Sequence, residues 1–245
     1  MNDNIEYSVS VILPTFNRYN YFVNAIESIL NQTHQFLEII IVNDGSTQEE
    51  YYSSKYREYE NINWIDLDSK RKLSFESGPQ NIASLRNLGI KLAKNNFIAF
   101  LDDDDLWFPD KLSIQLLAMQ QKQIYFSCTE GYYGEGTYDE NVKYKLYNKK
   151  KFKKELKKIY QNSNFKIPKK FPEVWTYDFL KIHNCVITSS VVVEASLLKK
   201  VEGFKPVNWA EDYDCWLRIL EVSNILYIDQ PLFYYDGKHG DGRLY

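Results

Sequence analysis

The sequence has few cysteines and no long hydrophobic run, and both absences limit what the protein can be. Its three cysteines, Cys128, Cys185 and Cys215, show no C-x-x-C spacing and leave one thiol over. A disulfide framework is therefore not indicated, and a reducing compartment is favoured. No apolar run approaches the ~18 residues that a membrane span requires, and residues 1–4 lack the basic-then-apolar start of a signal peptide. These features predict a soluble, cytoplasmic protein.

The chain also lacks a large net charge and the glycine-rich motifs of common nucleotide-binding folds. A net charge of −3 over 245 residues gives no electrostatic reason to expect nucleic acid as a partner. Neither a G-x-G-x-x-G turn nor a G-x-x-x-x-G-K-[ST] loop is present. Dinucleotide binding and P-loop nucleotide binding are both disfavoured as a result.

Apolar strands and helical faces alternate along the first half of the chain. Strands are predicted at Val9–Leu13 (ended by Pro14), Leu37–Val42, Ile62–Leu67 and Phe97–Leu101. Helices are predicted from Tyr21 to Leu30, after a capping box at Thr47–Glu50, and along Ile82, Leu85, Leu88, Leu92 and Ala93. This alternation predicts an α/β fold with a parallel, doubly wound sheet.

Three polar loops follow the predicted strands, at Pro14–Arg18, Asn43–Ser46 and Asp102–Asp105. The carboxyl ends of parallel strands share one edge of the sheet, and ligands of open α/β sheets bind there. In this crevice Asp44 could accept a hydrogen bond from a nucleobase or a ribose hydroxyl. A plain Asx turn is the other interpretation of Asp44.

Four consecutive aspartates, Asp102 to Asp105, end the fourth predicted strand. Clustered carboxylates repel one another and stay ionised together only if positive charge lies among them. A divalent cation that also binds substrate phosphates meets this need. The alternative is a solvated acidic loop whose last aspartate caps the helix that begins near Pro109.

Five sequence blocks, in order, resemble family 2 glycosyltransferases of the GT-A fold. The blocks are Val9–Arg18, Glu38–Ser46, Arg86–Ile90, Phe100–Lys111 and Ala210–Asp214, with Gly203-Phe204 before the last. The resemblance covers the chain from about Ser8 to Leu220, apart from an atypical middle stretch. It implies a Rossmann-like, mostly parallel central sheet flanked by helices, in a single catalytic domain.

The resemblance also implies where a nucleotide-sugar donor binds. Pro14, Thr15 and Asn17 would line the nucleotide pocket, and Asp44 would hydrogen-bond the base, most often uracil. Arg86 would lie near the base or the diphosphate. A UDP-sugar is therefore the favoured donor, although thymine carries the same N3–H group and leaves dTDP-sugars open.

Within the aspartate run, the resemblance implies a D-x-D metal motif whose register is ambiguous by one residue. Asp104 is predicted as the direct ligand of Mn²⁺ or Mg²⁺, and Asp102 is the second candidate ligand. Asp102 or Asp103 would otherwise contact the ribose and metal-bound water. Asp105 is expected to orient the loop or cap a helix. His239, in a glycine-flanked tail, would reach the metal or the diphosphate, unless that tail is a terminal loop without a role.

Glu211 and Asp212 begin a helical stretch that continues with apolar residues. Carboxylates at this end of a helix are stabilised by its dipole, which would by itself account for them. The resemblance favours Asp212 as the general base of an inverting single displacement, in which a carboxylate takes the proton of the acceptor hydroxyl. Glu211 is the second candidate.

The predicted domain has a nucleotide-sugar half, residues 1–125, and an acceptor half, residues 126–245. The acceptor half includes an insert at residues 143–170 with 12 lysines and one acid, Glu155. Phe152, Leu156 and Ile159 would share one face of a helix here. Such a helix could lie on an anionic membrane surface, grip a phosphorylated acceptor, or pack as a solvated helix on the domain.

The sequence thus predicts a metal-dependent transferase that moves a sugar to a hydroxyl of a glycan, lipid-linked or protein acceptor. A non-catalytic partner that binds nucleotide-sugar or glycan is one alternative. A sugar nucleotidyltransferase is another, but it would carry a Gly-rich, basic loop where this chain has Pro14–Arg18.

Overall fold

The computed structural model, which describes residues 7–68, 79–167, 171–207 and 210–239, contains one ten-stranded sheet. Its strands are β1 (Val9–Thr15), β2 (Leu37–Asn43), β3 (Ile62–Asp66), β4 (Phe97–Phe100), β5 (Leu106–Trp107), β6 (Phe126–Gly134), β7 (Lys145–Leu146), β8 (Val174–Trp175), β9 (Val192–Glu194) and β10 (Ile225–Asp236). Their order is β3-β2-β1-β4-β9-β6-β10-β5, with β7 beside β6 and β8 beside β10.

The long strands of this sheet all point the same way. β1 pairs in parallel with β2 and β4, β2 with β3, and β6 with β10. β9 is antiparallel to both β4 and β6, so β6 and β10 run in the direction of β4. The carboxyl ends of β1, β2, β4, β6 and β10 therefore meet at one edge, and the predicted α/β fold is confirmed.

Helices cover both faces of the sheet. They are α1 (Tyr19–Leu30), α2 (Pro79–Leu92), α3 (Lys111–Lys122), α4 (Lys153–Tyr160), α5 (Tyr177–Leu180), α6 (Ala195–Lys200) and α7 (Glu211–Leu220). The alternation along β1 shows how the two layers divide, because side chains of a strand alternate between faces. Val11 and Leu13 pack with Phe22 of α1, whereas Ile12 packs on the other face with Trp216 of α7.

Two predicted features near the first strands are wrong. β1 does not stop at Pro14 but continues to Thr15. β4 pairs with β1 only as far as Ile12, so a proline without an N–H group is tolerated beyond that point. The capping box at Thr47–Glu50 is followed only by a 3₁₀ turn, Glu49–Tyr51, and no side chain caps it.

The lysine-rich insert is helical, but its buried face differs from the predicted one. A π-helical turn, Tyr147–Lys151, precedes α4. Leu156 is buried as expected, and Phe152 packs against the core. Ile159 is 40% exposed, and Tyr160, one turn beyond Leu156, is buried in its place. Residues 168–170 of the insert lie outside the described residues.

Both predicted halves of the domain contribute to the same sheet. The boundary after residue 125 falls between α3 and β6, and β6 and β10 extend the sheet that β1 to β4 begin. No helix in the described ranges has the length and apolar character needed to cross a membrane. Residues 1–4, which are predicted to lack a signal pattern, lie outside those ranges.

Candidate functional site

Polar side chains converge at the edge where the parallel strands end. Thr15 ends β1, Asp44 follows β2, and the aspartate run follows β4. The backbone N–H of Asp44 donates to the carbonyl of Thr15 over 2.9 Å, which joins the first two loops. The end of β10 brings His239 to the same edge. The structure therefore brings together the three loops that the sequence predicted.

Asp103 is the most deeply buried of the four aspartates, and it contacts the β1 loop. Its carboxylate is 1% exposed and accepts a 2.7 Å hydrogen bond from the hydroxyl of Thr15, which is itself fully buried. It also forms an ion pair with Arg18. Burial raises the pKa of Asp103 to about 6, although Arg18 and Thr15 act to lower it. The Thr15 side chain thus holds Asp103 and does not face open solvent.

Asp104 lies between Arg18 and His239. Its Oδ2 is 3.2 Å from Nη1 of Arg18 and 3.9 Å from Nδ1 of His239, and the same Nη1 donates to the carbonyl of His239 over 2.8 Å. Burial and the neighbouring Asp103 raise the pKa of Asp104 to about 7. One guanidinium group therefore connects the β1 loop, the aspartate run and the turn that follows β10.

Asp105 orients the loop and does not cap a helix. Its carboxylate is buried and accepts a 3.0 Å hydrogen bond from the backbone N–H of Asp236 in β10. The N-cap of α3 is Asp110, which makes no side-chain capping bond. Burial raises the pKa of Asp105 well above its ordinary value. Of the two predicted roles for Asp105, the structure supports the first.

The aspartate run is not a solvated acidic loop. Asp103 and Asp105 are almost fully buried, and Asp102 and Asp104 each contact a guanidinium group. Arg18 and Arg86 supply part of the positive charge that allows the clustered carboxylates to stay ionised together. Repulsion among four carboxylates explains why two arginines converge on one loop.

Arg86 joins the aspartate run to the start of α7. Its Nη2 donates to Asp102 over 2.8 Å and its Nη1 donates to Glu211 over 2.7 Å. The Arg86 side chain is only 5% exposed. Burial alone would lower its pKa, but the two carboxylates raise the pKa above its usual value. The guanidinium is therefore a fixed cation between two predicted functional segments.

Asp212, beside Glu211, is held at both carboxylate oxygens. Oδ2 accepts from the hydroxyl of Thr188 over 3.1 Å, and Oδ1 accepts from the backbone N–H of Tyr213 over 2.7 Å. Burial raises the pKa of Asp212, while Arg86 acts to lower it. Burial likewise raises the pKa of Glu211, whose carboxylate is bonded to Arg86. Of the two acids, Asp212 is the one not directly paired with a cation.

Asn17 fixes the β1 loop to the β2 loop. Its backbone N–H donates to the hydroxyl of Ser46 over 2.9 Å, and its side-chain oxygen accepts from the backbone N–H of Thr47 over 2.7 Å. Asn17 has a φ of 48°, a left-handed conformation in which asparagine is common among non-glycine residues. The residue shapes the polar edge near Asp44 through both its backbone and its side chain.

The Arg86–Ile90 block has a clear structural basis apart from Arg86 itself. The side chain of Asn87 donates to the carbonyl of Phe204 over 2.7 Å and accepts from its N–H over 2.9 Å. A Cβ atom at Gly89 would lie 2.6 Å from Ile12, so glycine lets α2 approach β1 closely. The block therefore positions Arg86 by fixing α2 at two points.

Gly203→Ala is expected to destabilise the fold by about 1–3 kcal/mol. Gly203 has a φ of +66°, and an added Cβ would lie 2.4 Å from Oδ1 of Asn87. The matched control is Gly136→Ala, at a φ of +82° with nothing within 4 Å. Urea unfolding should show a smaller loss of unfolding free energy for the control, because only the unfavourable backbone conformation of alanine contributes there. Equal losses would mean that the contact with Asn87 adds nothing.

Three residues of this site were not predicted from the sequence. Arg18 was included in a family block without a role, yet a charge count of the crevice would have indicated it as the cation for the aspartates. Tyr51 is fully buried and shares a 2.6 Å hydrogen bond with the hydroxyl of Thr15. Neither Tyr51 nor Thr188 carries a local signal, because both reach the site through long-range packing.

The predicted metal ligands, Asp102, Asp104 and His239, lie at the same edge but do not form a closed cage. Within the part of the chain that the structure describes, no group of three or more His, Cys, Asp or Glu side chains is arranged to hold a metal ion. Mg²⁺-type ions are commonly bound by one or two carboxylates together with substrate phosphates. Asp102, Asp104 and His239 could therefore hold a metal of that kind only together with ligands from a bound substrate.

Comparison with other sequences agrees with this geometry. The model of glycosyl transferase family 2 matches residues 10–172. A β-1,3-glucosyltransferase of Escherichia coli, WfgD, is 31% identical over 222 residues, which cover 90% of this chain and 72% of that protein. Its name gives UDP-Glc as donor and α-D-GlcNAc-diphosphoundecaprenol as acceptor. The chain spans a third or less of the length of three Rickettsia glycosyltransferases that it also matches.

Solved structures share the fold at low sequence identity. S. aureus TarS 1–349 in complex with UDP-GlcNAc superposes with a TM-score of 0.68 at 19% identity, covering 97% of this chain and 62% of that one. The mannosyltransferase PcManGT of Pyrobaculum calidifontis, bound to GDP-Man and Mn²⁺, gives 0.64 at 16% identity, covering 95% and 57%. These likenesses confirm the predicted GT-A fold. Because the family model matches residues 10–172, which is more than half of this chain, the chain belongs to glycosyl transferase family 2.

Proposed function

We propose that this chain transfers a sugar from a nucleoside diphosphate donor, with a UDP-sugar favoured, to a hydroxyl of a lipid-linked glycan. The reaction is a single displacement with inversion at the sugar carbon. The acceptor oxygen forms the new bond as the bond to the donor phosphate breaks, and the nucleoside diphosphate leaves with the electron pair. Asp212 takes the proton of the acceptor hydroxyl.

The observation that carries this proposal is the double ion pair of Arg86. One guanidinium contacts Asp102 of the aspartate run and Glu211, the neighbour of Asp212. The predicted diphosphate site and the predicted base are thereby held on one rigid group. Such preorganisation matters because a misplacement of about 1 Å can cost on the order of 100-fold in rate.

Asp212 is favoured over Glu211 as the base because of their different partners. Glu211 is bonded to a permanent cation, which stabilises its ionised form and opposes proton uptake. The Asp212 carboxylate is oriented by Thr188 and a backbone N–H, and burial favours its neutral form. Burial raises the pKa of both acids toward the range that suits general-base catalysis, so the difference in their partners decides between them.

The β1 and β2 loops support the assignment of the donor. Asn17 fixes both loops, and Asp44 follows β2 where a hydrogen bond to a base would be made. The E. coli relative is named for UDP-Glc, and TarS was solved with UDP-GlcNAc. A UDP-sugar is therefore the preferred donor, and dTDP-sugars and GDP-sugars are the other donors to test.

Asp104 with His239, and Asp102 through its partly exposed carboxylate, would hold Mn²⁺ or Mg²⁺. The metal, when bound, neutralises charge that develops on the leaving diphosphate. Asp104 has one long contact with Arg18 and a pKa raised by burial, so its carboxylate is not fully stabilised by the protein alone. The complex of PcManGT with GDP-Man and Mn²⁺ supports a metal in this fold.

The donor assignment is tested by thermal unfolding with UDP, GDP, dTDP and CMP, each with and without Mn²⁺. A ligand at about 100 times its Kd adds roughly 2.7 kcal/mol of stability. For a chain of this size, the melting temperature should rise by about 5–10 °C. A rise with UDP only when Mn²⁺ is present is expected. No rise with any nucleotide would favour a non-catalytic binding partner over a transferase.

Asp104→Ala is expected to abolish the Mn²⁺-dependent part of this thermal shift while leaving the fold intact. Isothermal titration with UDP and Mn²⁺ should show binding to the wild-type protein and little to the variant. Asp110→Ala is the matched control, because Asp110 is an exposed aspartate near the same loop. Unchanged UDP affinity in Asp104→Ala would remove the metal from the proposal.

A further inference from the structure

A cleft of about 260 Å³ lies between the π-helical turn, α4 and the side chains of Ile167 and Phe171. Leu156 and Phe171 form a buried part of its lining, and the partly buried Ile167 lies beside them. Lys150, Lys153 and Lys157 line it as well, and their side chains are exposed. The cleft therefore combines an apolar floor with a positively charged rim.

The positive charge on the rim is largely uncompensated. A fourth lining lysine, Lys149, forms an ion pair with Asp229. Lys150, Lys153 and Lys157 have no ion pair with a carboxylate of the described residues. A rim of three such ammonium groups suits an anion with several oxygens, and lysine binds phosphate groups as a point charge.

The apolar floor is rigid because it belongs to the main core. Leu156 and Phe171 lie in the same hydrophobic cluster as Trp175, Phe179 and Trp216 of α7. Phe171 packs against Trp175 with ring centroids 5.6 Å apart. An apolar surface of this kind stabilises hydrocarbon by removing it from water. A ligand that fills the cleft should carry an anionic group next to hydrocarbon.

The cleft is close to the proposed base. Asn148, which also lines the cleft, donates from its side chain to the carbonyl of Cys185 over 3.3 Å. Three residues further on, Thr188 donates to Asp212. Three residues span at most about 11 Å, so a short path through Cys185 and Thr188 connects the cleft to the carboxylate of Asp212.

We propose that this cleft binds the diphosphate and the first isoprene carbons of a polyprenyl diphosphate acceptor, a step that rests on the proposed function. The three lysines contact the diphosphate oxygens, and the hydrocarbon lies on Leu156, Ile167 and Phe171. The volume is slightly below the usual range of small-molecule pockets, so it admits only the start of the chain. The acceptor sugar then points toward Asp212.

The test is binding of farnesyl diphosphate, a short isoprenoid diphosphate, measured by isothermal titration at concentrations below micelle formation. Saturating UDP and Mn²⁺ are present, so that the donor site is not available to the diphosphate. The charge-reversal variant Lys150→Glu/Lys153→Glu/Lys157→Glu is expected to raise the Kd at least about tenfold, through loss of charge-assisted hydrogen bonds. Farnesol and inorganic diphosphate should each bind more weakly than farnesyl diphosphate.

The matched control is Lys154→Glu/Lys158→Glu, which reverses two exposed lysines of the same helix that do not line the cleft. Its Kd should stay within about twofold of wild type, since exposed charges outside the contact are screened. An equal loss in both variants would show binding to general positive charge and overturn the proposal. Inorganic diphosphate binding as tightly as farnesyl diphosphate would also overturn it.

The two proposals fail in different ways. If UDP with Mn²⁺ does not bind, the donor assignment fails, but the farnesyl diphosphate titration still reports on the cleft. If UDP binds and the lysine variant retains wild-type affinity for farnesyl diphosphate, only the acceptor cleft is wrong. Circular dichroism of each variant would establish that the fold is intact, and all five lysines are exposed.

Discussion

Asp212→Asn is expected to lower kcat by about 10²–10⁴-fold, the usual contribution of a general base. The asparagine side chain keeps the shape and the hydrogen bond with Thr188 but cannot accept the acceptor proton. UDP affinity with Mn²⁺ should be unchanged, because Asp212 is placed on the acceptor side. Transfer is measured as release of UDP from UDP-glucose with a polyprenyl-diphosphate-linked GlcNAc acceptor.

Glu211→Gln is the matched control for this prediction. Glutamine can still accept a hydrogen bond from Arg86, so the arginine keeps a partner and kcat should fall less than in Asp212→Asn. A larger loss in Glu211→Gln, with near-normal transfer in Asp212→Asn, would exchange the roles of the two acids.

The pH profile gives an independent test of the base. Burial raises the pKa of Asp212, so its carboxylate becomes protonated at a higher pH than that of an exposed aspartate. Since the base acts only when ionised, kcat/KM should fall as the pH decreases through that raised pKa. The residual activity of Asp212→Asn should lack this acidic limb. If kcat/KM of Asp212→Asn falls at low pH in the same way as that of the wild type, a group other than Asp212 causes the fall.

Arg86→Ala is expected to remove both stability and activity. The substitution leaves Asp102 and Glu211 near a buried space without their shared cation, and breaking a buried ion pair by removing one partner costs about 3–5 kcal/mol. Urea unfolding measures this loss. Transfer should be undetectable even at temperatures where the variant is folded, because the start of α7 no longer has a fixed position.

Two further variants separate charge from geometry. Arg86→Lys keeps the positive charge but cannot donate to both carboxylates from a planar group, so it should recover part of the stability and little of the activity. Arg57→Ala removes the more exposed ion pair with Asp66 and a hydrogen bond to the carbonyl of Tyr51, and it should cost less than Arg86→Ala because an exposed ion pair contributes only about 0–1 kcal/mol. A loss in Arg86→Ala as small as that in Arg57→Ala would contradict the role given to Arg86.

The sequence predicted the fold and the loops of the site because their signals are local. Apolar runs marked the strands, and each run was followed by polar residues that the parallel sheet had to place at one edge. The predicted edge holds Asp44, the aspartate run and the β1 loop, as expected. The roles of the individual residues depend on the resemblance to family 2 and stay predictions.

The interactions within the site could not be predicted, because they join residues far apart in sequence. Arg18 forms ion pairs with Asp103 and Asp104, which lie 85 and 86 residues away. No local sequence pattern predicts such a pair. The buried face of α4 was predicted wrongly for a different reason. Positions three and four residues beyond Leu156 both lie on its side of the helix, and the tertiary contacts of Tyr160, whose hydroxyl donates to the carbonyl of Phe179, decide which of the two is buried.

The position of β10 in the sheet has a consequence for biosynthesis. β5, which follows the aspartate run directly, pairs with β10, and Arg18 donates to the carbonyl of His239, 221 residues further along the chain. A ribosome therefore makes the β1 loop and the aspartate run long before it makes β10. Contacts of such high sequence separation form slowly. During translation, the acidic edge should stay open to solvent and to chaperones until β10 has left the exit tunnel.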